Sequence, residues 1–222
     1  MRCALVVMAR YPRIGEGKTR LAKAIGAEQA HRLYCAFLQD IDARFAAAGR
    51  TLVWVVHPLE PDFATLVGST ARCMPQRGRD LGERMWDCVQ QLCGEGFERV
   101  IMIGADVPHV RSEWLDEAEE QLNTADIVLG PTDDGGYYLV AMRAPHDVFT
   151  GIPMSTDRVL TETLSRVEAL GLRLHLLPCG FDIDEQRDLV RLQTLLRTEG
   201  DSVRLPRTAW ILESMCGDLV AT

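Results

Sequence analysis

The sequence predicts an α/β fold built on a mixed but mainly parallel sheet, and three observations carry that reading. Apolar, β-type runs alternate with helical patterns along most of the chain, the signature of strands connected by crossover helices. One run, Val100-Ile101-Met102-Ile103, is apolar at every position, as a central strand buried on both faces must be. Gly135-Gly136 then stand between an acidic pair and the strand-like Tyr137-Tyr138, a tight turn into antiparallel pairing.

Strands are expected at 3–8, 51–56, 70–74, 99–103, 126–130, 137–142 and 172–177. A helix is expected at about 27–47, where Ala30, Leu33, Phe37, Ile41 and Phe45 recur at helical period and form one stripe suited to covering a sheet face. Further helices are read at about 82–94, 112–122, 155–170 and 185–198. Ser112, Ser155-Thr156-Asp157 and Asp184-Glu185 are the natural caps of the last three. Residues 199–222 read as a surface turn and a closing helix starting near Pro206. No repeat, low-complexity tract or linker interrupts the pattern, so 1–222 is taken as one domain.

Composition narrows the function. With 222 residues, 47% of them apolar, the chain can bury a sizeable core. Its formal charge of −8 and the lack of a Lys/Arg-rich face argue against a nucleic-acid partner and for a small anionic ligand. Seven cysteines form no CxxC and lie mostly in apolar segments, which suits a reducing cytoplasm. Residues 3–9 are too short for a signal core and are followed by Arg10-Tyr11-Pro12-Arg13; no segment is long and apolar enough to span a membrane.

The chemistry concentrates where strands end. Arg10-Tyr11-Pro12-Arg13-Ile14-Gly15-Glu16-Gly17-Lys18-Thr19-Arg20 follows the first strand and reads as a phosphate cradle. Gly15 and Gly17 would free backbone N–H groups, while Arg10, Lys18 and Arg20 would neutralise charge. Gly17-Lys18-Thr19 imitates the end of a P-loop, but the glycine required five places earlier is Pro12. In a second loop Gln76, Arg77 and Arg79 are candidates for a base, ribose or phosphate; an ion network involving Glu83 and Arg84 is the competing reading.

Asp106 stands just past the run 100–103 and Gly104-Ala105, at the carboxyl end of the sheet. Ligands of open α/β sheets collect there, and a carboxylate so placed can hold a metal ion. Asp133 and Asp134 follow another strand, and Asp134 is the candidate to orient or deprotonate an acceptor hydroxyl. Asp182 and Asp184 alternate along an extended stretch and share a face, offering further metal carboxylates. Oxygen ligands of this kind suit Mg²⁺ or Mn²⁺, whereas five scattered histidines suggest no zinc site.

Taken in order, Lys18-Thr19-Arg20-Leu21, Asp80-Leu81-Gly82-Glu83-Arg84-Met85, Gly104-Ala105-Asp106-Val107-Pro108, Asp134-Gly135-Gly136-Tyr137-Tyr138, Ser155-Thr156-Asp157 and Asp182-Ile183-Asp184 resemble a bacterial family of GT-A-like nucleotide-diphospho-sugar transferases. One branch of it is linked to arsenosugar biosynthesis. The resemblance covers residues 1 to about 198 and implies a single-domain GT-A (Rossmann-like) three-layer α/β/α fold. It also implies a nucleotide over the first strand and a divalent metal near Asp106. Related 2-phospho-lactate and molybdenum-cofactor guanylyltransferases share the superfamily, the former with a similar Lys-x-Arg-Leu loop. Three departures stand out: Asp106-Val107-Pro108 in place of Asp-x-Asp, Met154 where Trp is common, and Glu185-Gln186-Arg187 for Thr-Pro-Glu.

The function so implied is metal-dependent transfer from a nucleotide diphospho-sugar to a small-molecule acceptor. Asp106, Asp134 and Lys18 would be catalytic and Asp106, Asp184 and Asp182 would hold Mg²⁺ or Mn²⁺. Asp133, Gly135, Gly136, Tyr137, Ser155, Thr156 and Asp157 would lie on the acceptor side. Nucleotidyl transfer with loss of pyrophosphate is the alternative, and a non-catalytic nucleotide-binding module is a third.

Overall fold

Strands and helices alternate as β1 (Cys3–Arg10), α1 (Thr19–Ile25), α2 (Ala27–Phe45), β2 (Thr51–His57), α3 (Phe63–Val67), β3 (Arg72–Pro75), α4 (Leu81–Gly94), β4 (Arg99–Gly104), α5 (Ser112–Gln121), β5 (Ile127–Pro131), β6 (Tyr137–Met142), α6 (Val159–Ala169), β7 (Leu174–Leu176), α7 (Gln186–Glu199) and α8 (Pro206–Leu219). This computed structural model describes residues 1–154, 156–199 and 203–219. The seven strands form one sheet in the order β3-β2-β1-β4-β6-β5-β7, in which only β6 runs antiparallel to its neighbours.

Alternation along β1 shows how the layers are made. Leu5, Val7 and Ala9 face the core shared with α2 and α5, and Ala4 and Val6 face the core shared with α4. A strand buried on both sides needs apolar residues at every position, which is why β1 and β4 read as continuous apolar runs.

The α2 stripe does not cover the sheet along its whole length, as its period suggests. Ile41 and Phe45 pack on the sheet, whereas Ala30, Leu33 and Phe37 join Leu189, Leu192, Ile211 and Leu212 in a cluster with α7 and α8. Helical period specifies an apolar face, not what covers it. Other differences are local. Ser112 is the first helical residue of α5 rather than its cap, which is Arg111 without a side-chain bond. The sixth helix begins at Val159, with Thr156 Oγ1 accepting from the Arg158 amide at 3.4 Å. At the start of α7 it is Asp188 whose Oδ2 accepts from the amides of Asp184 (3.0 Å) and Glu185 (2.8 Å).

One edge of the sheet collects the loops that matter. The carboxyl ends of β1 to β4 open there. So does the β5–β6 turn, because β6 reverses direction, and so does the segment after β7, which runs parallel to β5. A bridge between Thr132 and Gly180 joins these last two segments. Cys3, Cys35, Cys73, Cys88, Cys93 and Cys179 are free thiols. Among the described residues no helix is long and apolar enough to cross a membrane.

Candidate functional site

At this edge the Lys18 ammonium is the meeting point of three loops. It donates to Asp184 Oδ1 (2.9 Å) and the Ile183 carbonyl (2.6 Å) and forms an ion pair with Asp106 Oδ1 at 2.6 Å. Its side chain is 7% exposed. Burial by itself would favour the neutral amine, but the Asp106 and Asp184 carboxylates outweigh it and hold the Lys18 pKa above its ordinary value. Gly15 (φ +81°), Gly17 (φ +67°) and Lys18 (φ +41°) give the preceding loop its left-handed bends. The Ile183 amide in turn donates to the Asp106 carbonyl at 3.0 Å, fastening the two acid loops backbone to backbone.

Arg20 extends the network: Nη2 lies 2.6 Å from Asp184 Oδ2 and Nη1 lies 3.6 Å from Glu185. Burial pushes the Asp184 pKa up, but Lys18 and Arg20 overcome it and hold it below the usual carboxylate range. At Asp182 the Lys18 charge compensates only in part. Asp182 Oδ1 is buried without a hydrogen-bond partner, and burial together with the charges of Asp106 and Asp134 pushes the Asp182 pKa up to about 7. Asp134 itself is held in a turn, its Oδ1 accepting from Thr132 Oγ1 (2.6 Å) and the Gly136 amide (3.1 Å).

The acceptor-side candidates divide. Gly135, at φ +88°, lies so close to residue 157 that an added Cβ would stand 2.1 Å from the Asp157 carbonyl oxygen; this close approach brings Asp133, Asp134, Thr156 and Asp157 to one rim. A Cβ on Gly136 would press on Thr132 Oγ1 and Asp134 Oδ1. Tyr137 departs from the expectation: it packs in the core below the sheet with its hydroxyl buried, so it cannot touch a ligand at the rim. Strand alternation explains this, since Tyr138 takes the opposite face, where its ring lies between Gly130 and Gly180. Ser155 lies outside the described residues.

On the nucleotide side, Arg10 and Arg77 have exposed side chains at the ends of β1 and β3. Gln76 donates from Nε2 to the carbonyls of Ala9 (2.9 Å) and Val55 (3.0 Å), so it braces β1 against β2. Arg79 is engaged by Glu83 (Nε to Oε1, 2.9 Å), whereas Arg84 donates to the Gly78 carbonyl at 3.1 Å and pairs with no acid among the described residues, so Glu83 binds a candidate arginine rather than Arg84. Among the described residues no group of three His, Cys, Asp or Glu side chains is placed to hold a metal ion by itself, so protein carboxylates alone do not complete a coordination shell here. Asp106 and Asp184 converge on Lys18 instead.

Two contributors escaped the sequence reading. Tyr34, on α2, accepts from the Arg10 amide (3.0 Å) and donates to the Arg10 carbonyl (3.2 Å), pinning the start of the cradle loop. Burial and the charge of Asp106 push its pKa far up, keeping the hydroxyl protonated. Arg191, on α7, binds Asp133 at 2.7 Å and stacks on Phe181. A polar residue beside the apolar stripe was the only signal for Tyr34, and nothing local marked Arg191.

Comparison with known proteins finds transferases similar along most of this chain. A solved structure assigned as a nucleotide-diphospho-sugar transferase from Desulfovibrio desulfuricans G20 superposes with a TM-score of 0.90 at 29% identity, covering 99% of this chain and 98% of that one. Phosphoenolpyruvate guanylyltransferase of Chloroflexus aggregans is 27% identical over 80% of this chain and 91% of its own length. The 2-phospho-L-lactate guanylyltransferase of Methanothrix thermoacetophila is 25% identical over 83% and 80% respectively. The family model DUF2064, described as "uncharacterized protein conserved in bacteria", matches residues 40–156, more than half of the chain and including Asp106 and Asp134; the chain belongs to this family.

Proposed function

We propose that this protein is a divalent-metal-dependent glycosyltransferase that takes a nucleotide diphospho-sugar as donor and a small hydroxylated molecule as acceptor. The observation that supports it is the convergence of Lys18 and Arg20 with Asp106, Asp182 and Asp184 on the ligand-binding edge of the sheet. The end-to-end likeness to the nucleotide-diphospho-sugar transferase supports the donor class.

The residues fit a hard cation. Asp106, Asp184 and the Ile183 carbonyl already surround one positive charge, and Asp182 keeps a buried oxygen without a partner. Asp106 and Asp184, with Asp182 as a further carboxylate, would hold Mg²⁺ or Mn²⁺ together with phosphate oxygens; when bound, the ion stabilises charge building on the departing diphosphate. Lys18 and Arg20 share that task by donating to the phosphates. Asp134, fixed through one oxygen, takes the acceptor's proton as its oxygen bonds to the anomeric carbon and the nucleoside diphosphate leaves.

Nucleotidyl transfer is the second reading, in which pyrophosphate leaves a nucleoside triphosphate. Two observations favour it: the guanylyltransferase relatives, and a loop in which buried Val107 and Pro108 leave Asp106 without a second acid. Following ³¹P spectra of reactions supplied with nucleotide sugars or with nucleoside triphosphates, with Mn²⁺ or chelator, separates them. Nucleoside diphosphate released from a nucleotide sugar supports glycosyl transfer, and pyrophosphate selects the alternative. Asp106→Asn should lower the metal-dependent rate about a hundredfold or more with the fold intact. Full activity in that variant would remove the central claim.

A further inference from the structure

Lys18 has two assignments that it cannot hold together. As a phosphate ligand it must point its ammonium at the donor, yet that ammonium is held by hydrogen bonds to Asp184 and the Ile183 carbonyl and by an ion pair with Asp106. Those same oxygens are the ones a divalent cation needs. We propose that Lys18 is a resident counter-cation of the acid cluster, exchanged for the divalent metal only when a phosphate draws its ammonium away, so that metal and nucleotide bind together and neither binds well alone. The inference rests on the metal reading of Asp106, Asp182 and Asp184 given above.

Three features of the chain make the exchange physical. The charges of Asp106, Asp134 and Asp184 all bear on Asp182, and Lys18 bridges Asp106 and Asp184 with Arg20 backing it at Asp184, so a cluster stripped of Lys18 would leave several carboxylates uncompensated. A metal arriving alone must displace a buried ammonium that then has no partner, which opposes binding. A phosphate supplies the missing partner and removes the obstacle, and by linkage each ligand then raises the affinity of the other. The backbone is also suited to a change of direction here. Lys18 is the one non-glycine with positive φ among the described residues, it follows Gly17 at φ +67°, and it is the N-cap of α1 without a side-chain bond to that helix. Its departure therefore breaks no cap.

The test is direct titration of Mn²⁺ into the nucleotide-free protein, read from the loss of the free-ion electron paramagnetic resonance signal. Wild type should bind weakly, and Lys18→Met should bind tenfold or more tightly, a coupling within the usual range for linked sites. Lys18→Gln, which keeps a donor but no charge, should gain likewise and stands in if the Met variant folds poorly by circular dichroism. Adding Asp106→Asn to either should erase the gain and so locate the ion. Wild type that binds Mn²⁺ as tightly as the Lys18 variants, through Asp106, would overturn the exchange and leave the metal site standing. If the ion binds none of these proteins, or if Asp106→Asn changes nothing, the metal reading fails and the exchange with it.

Discussion

The guanidinium of Arg191 lies 3.9 Å from the centre of the Phe181 ring while its Nη1 binds Asp133 at 2.7 Å. One side chain on α7 thus ties together the neighbour of Asp182 and the neighbour of Asp134. The other face of Phe181 meets the His109 ring at 4.2 Å, so the loop bearing Asp182 is held from both sides.

Removing that tie should disturb the acids more than the fold. Arg191 is half exposed, and an ion pair and a cation–π contact of this kind contribute about 1 kcal/mol together, or roughly 2–4 °C in Tm. Arg191→Ala should therefore melt only slightly lower but lose about tenfold in kcat, with donor affinity by calorimetry unchanged. Arg191→Lys, which keeps the charge and not the flat stack, should recover part of the rate. Equal losses in donor affinity and kcat would assign Arg191 to general stability instead.

Gly135→Ala tests the rim. The position combines φ +88° with an Asp157 carbonyl oxygen only 2.1 Å from where a Cβ would be, so the β5–β6 turn must separate from the segment before α6. That separation also strains the bond from the Leu160 amide to the Gly135 carbonyl (2.9 Å). A loss of about 2–4 kcal/mol in urea unfolding is expected, with a defect in turnover. A variant as stable as wild type would show that the two segments are not locked.

His109 sets a pH limit. It is buried, both ring nitrogens lack partners, and burial together with Arg44, Arg191 and Arg111 pushes its pKa down to about 3. A folded-state value depressed from 6.5 means that the unfolded chain binds the extra proton. Stability is therefore full above about pH 6.5 and falls as the pH drops toward 3, by an upper figure of about 3 kcal/mol at pH 4. His109→Phe keeps a ring against Phe181 and should flatten that part of the stability profile. An unchanged slope would assign the acid sensitivity to the carboxylates.

Asp40 holds the last helix. Fully buried on α2, it accepts from the Thr208 amide through Oδ2 (2.8 Å) and from the Arg207 amide through Oδ1 (3.2 Å), so a side chain of one helix satisfies the first turn of another. Asp40→Ala leaves two amides unpaired and should cost about 2 kcal/mol, roughly 4–8 °C in Tm. Asp40→Asn, which keeps an acceptor, should recover much of that. Equal melting of all three proteins would mean that apolar packing alone seats α8.

Much of this architecture was legible in the residues. A central strand must be apolar throughout, and the run at 100–103 announced β4; a turn with φ > 0 needs glycine, and Gly135 announced the reversal into β6. The acids could be placed at the carboxyl edge because each follows a strand directly. Helix caps were less legible, since Asp188, inside α7, serves the amides that Asp184 and Glu185 bring to it.

By itself, then, the sequence determined the layers, the turns and the edge on which Lys18, Asp106, Asp134, Asp182 and Asp184 stand, because period and backbone sterics act over a few residues. Only the tertiary structure decided which charges meet. Lys18 and Asp184 are 166 positions apart, Arg191 and Asp133 are 58 apart, and Tyr137 turned from the rim into the core. The direction of a side chain that far from its partner depends on how whole elements pack, and on which buried charge most needs compensation, neither of which spacing along the chain contains.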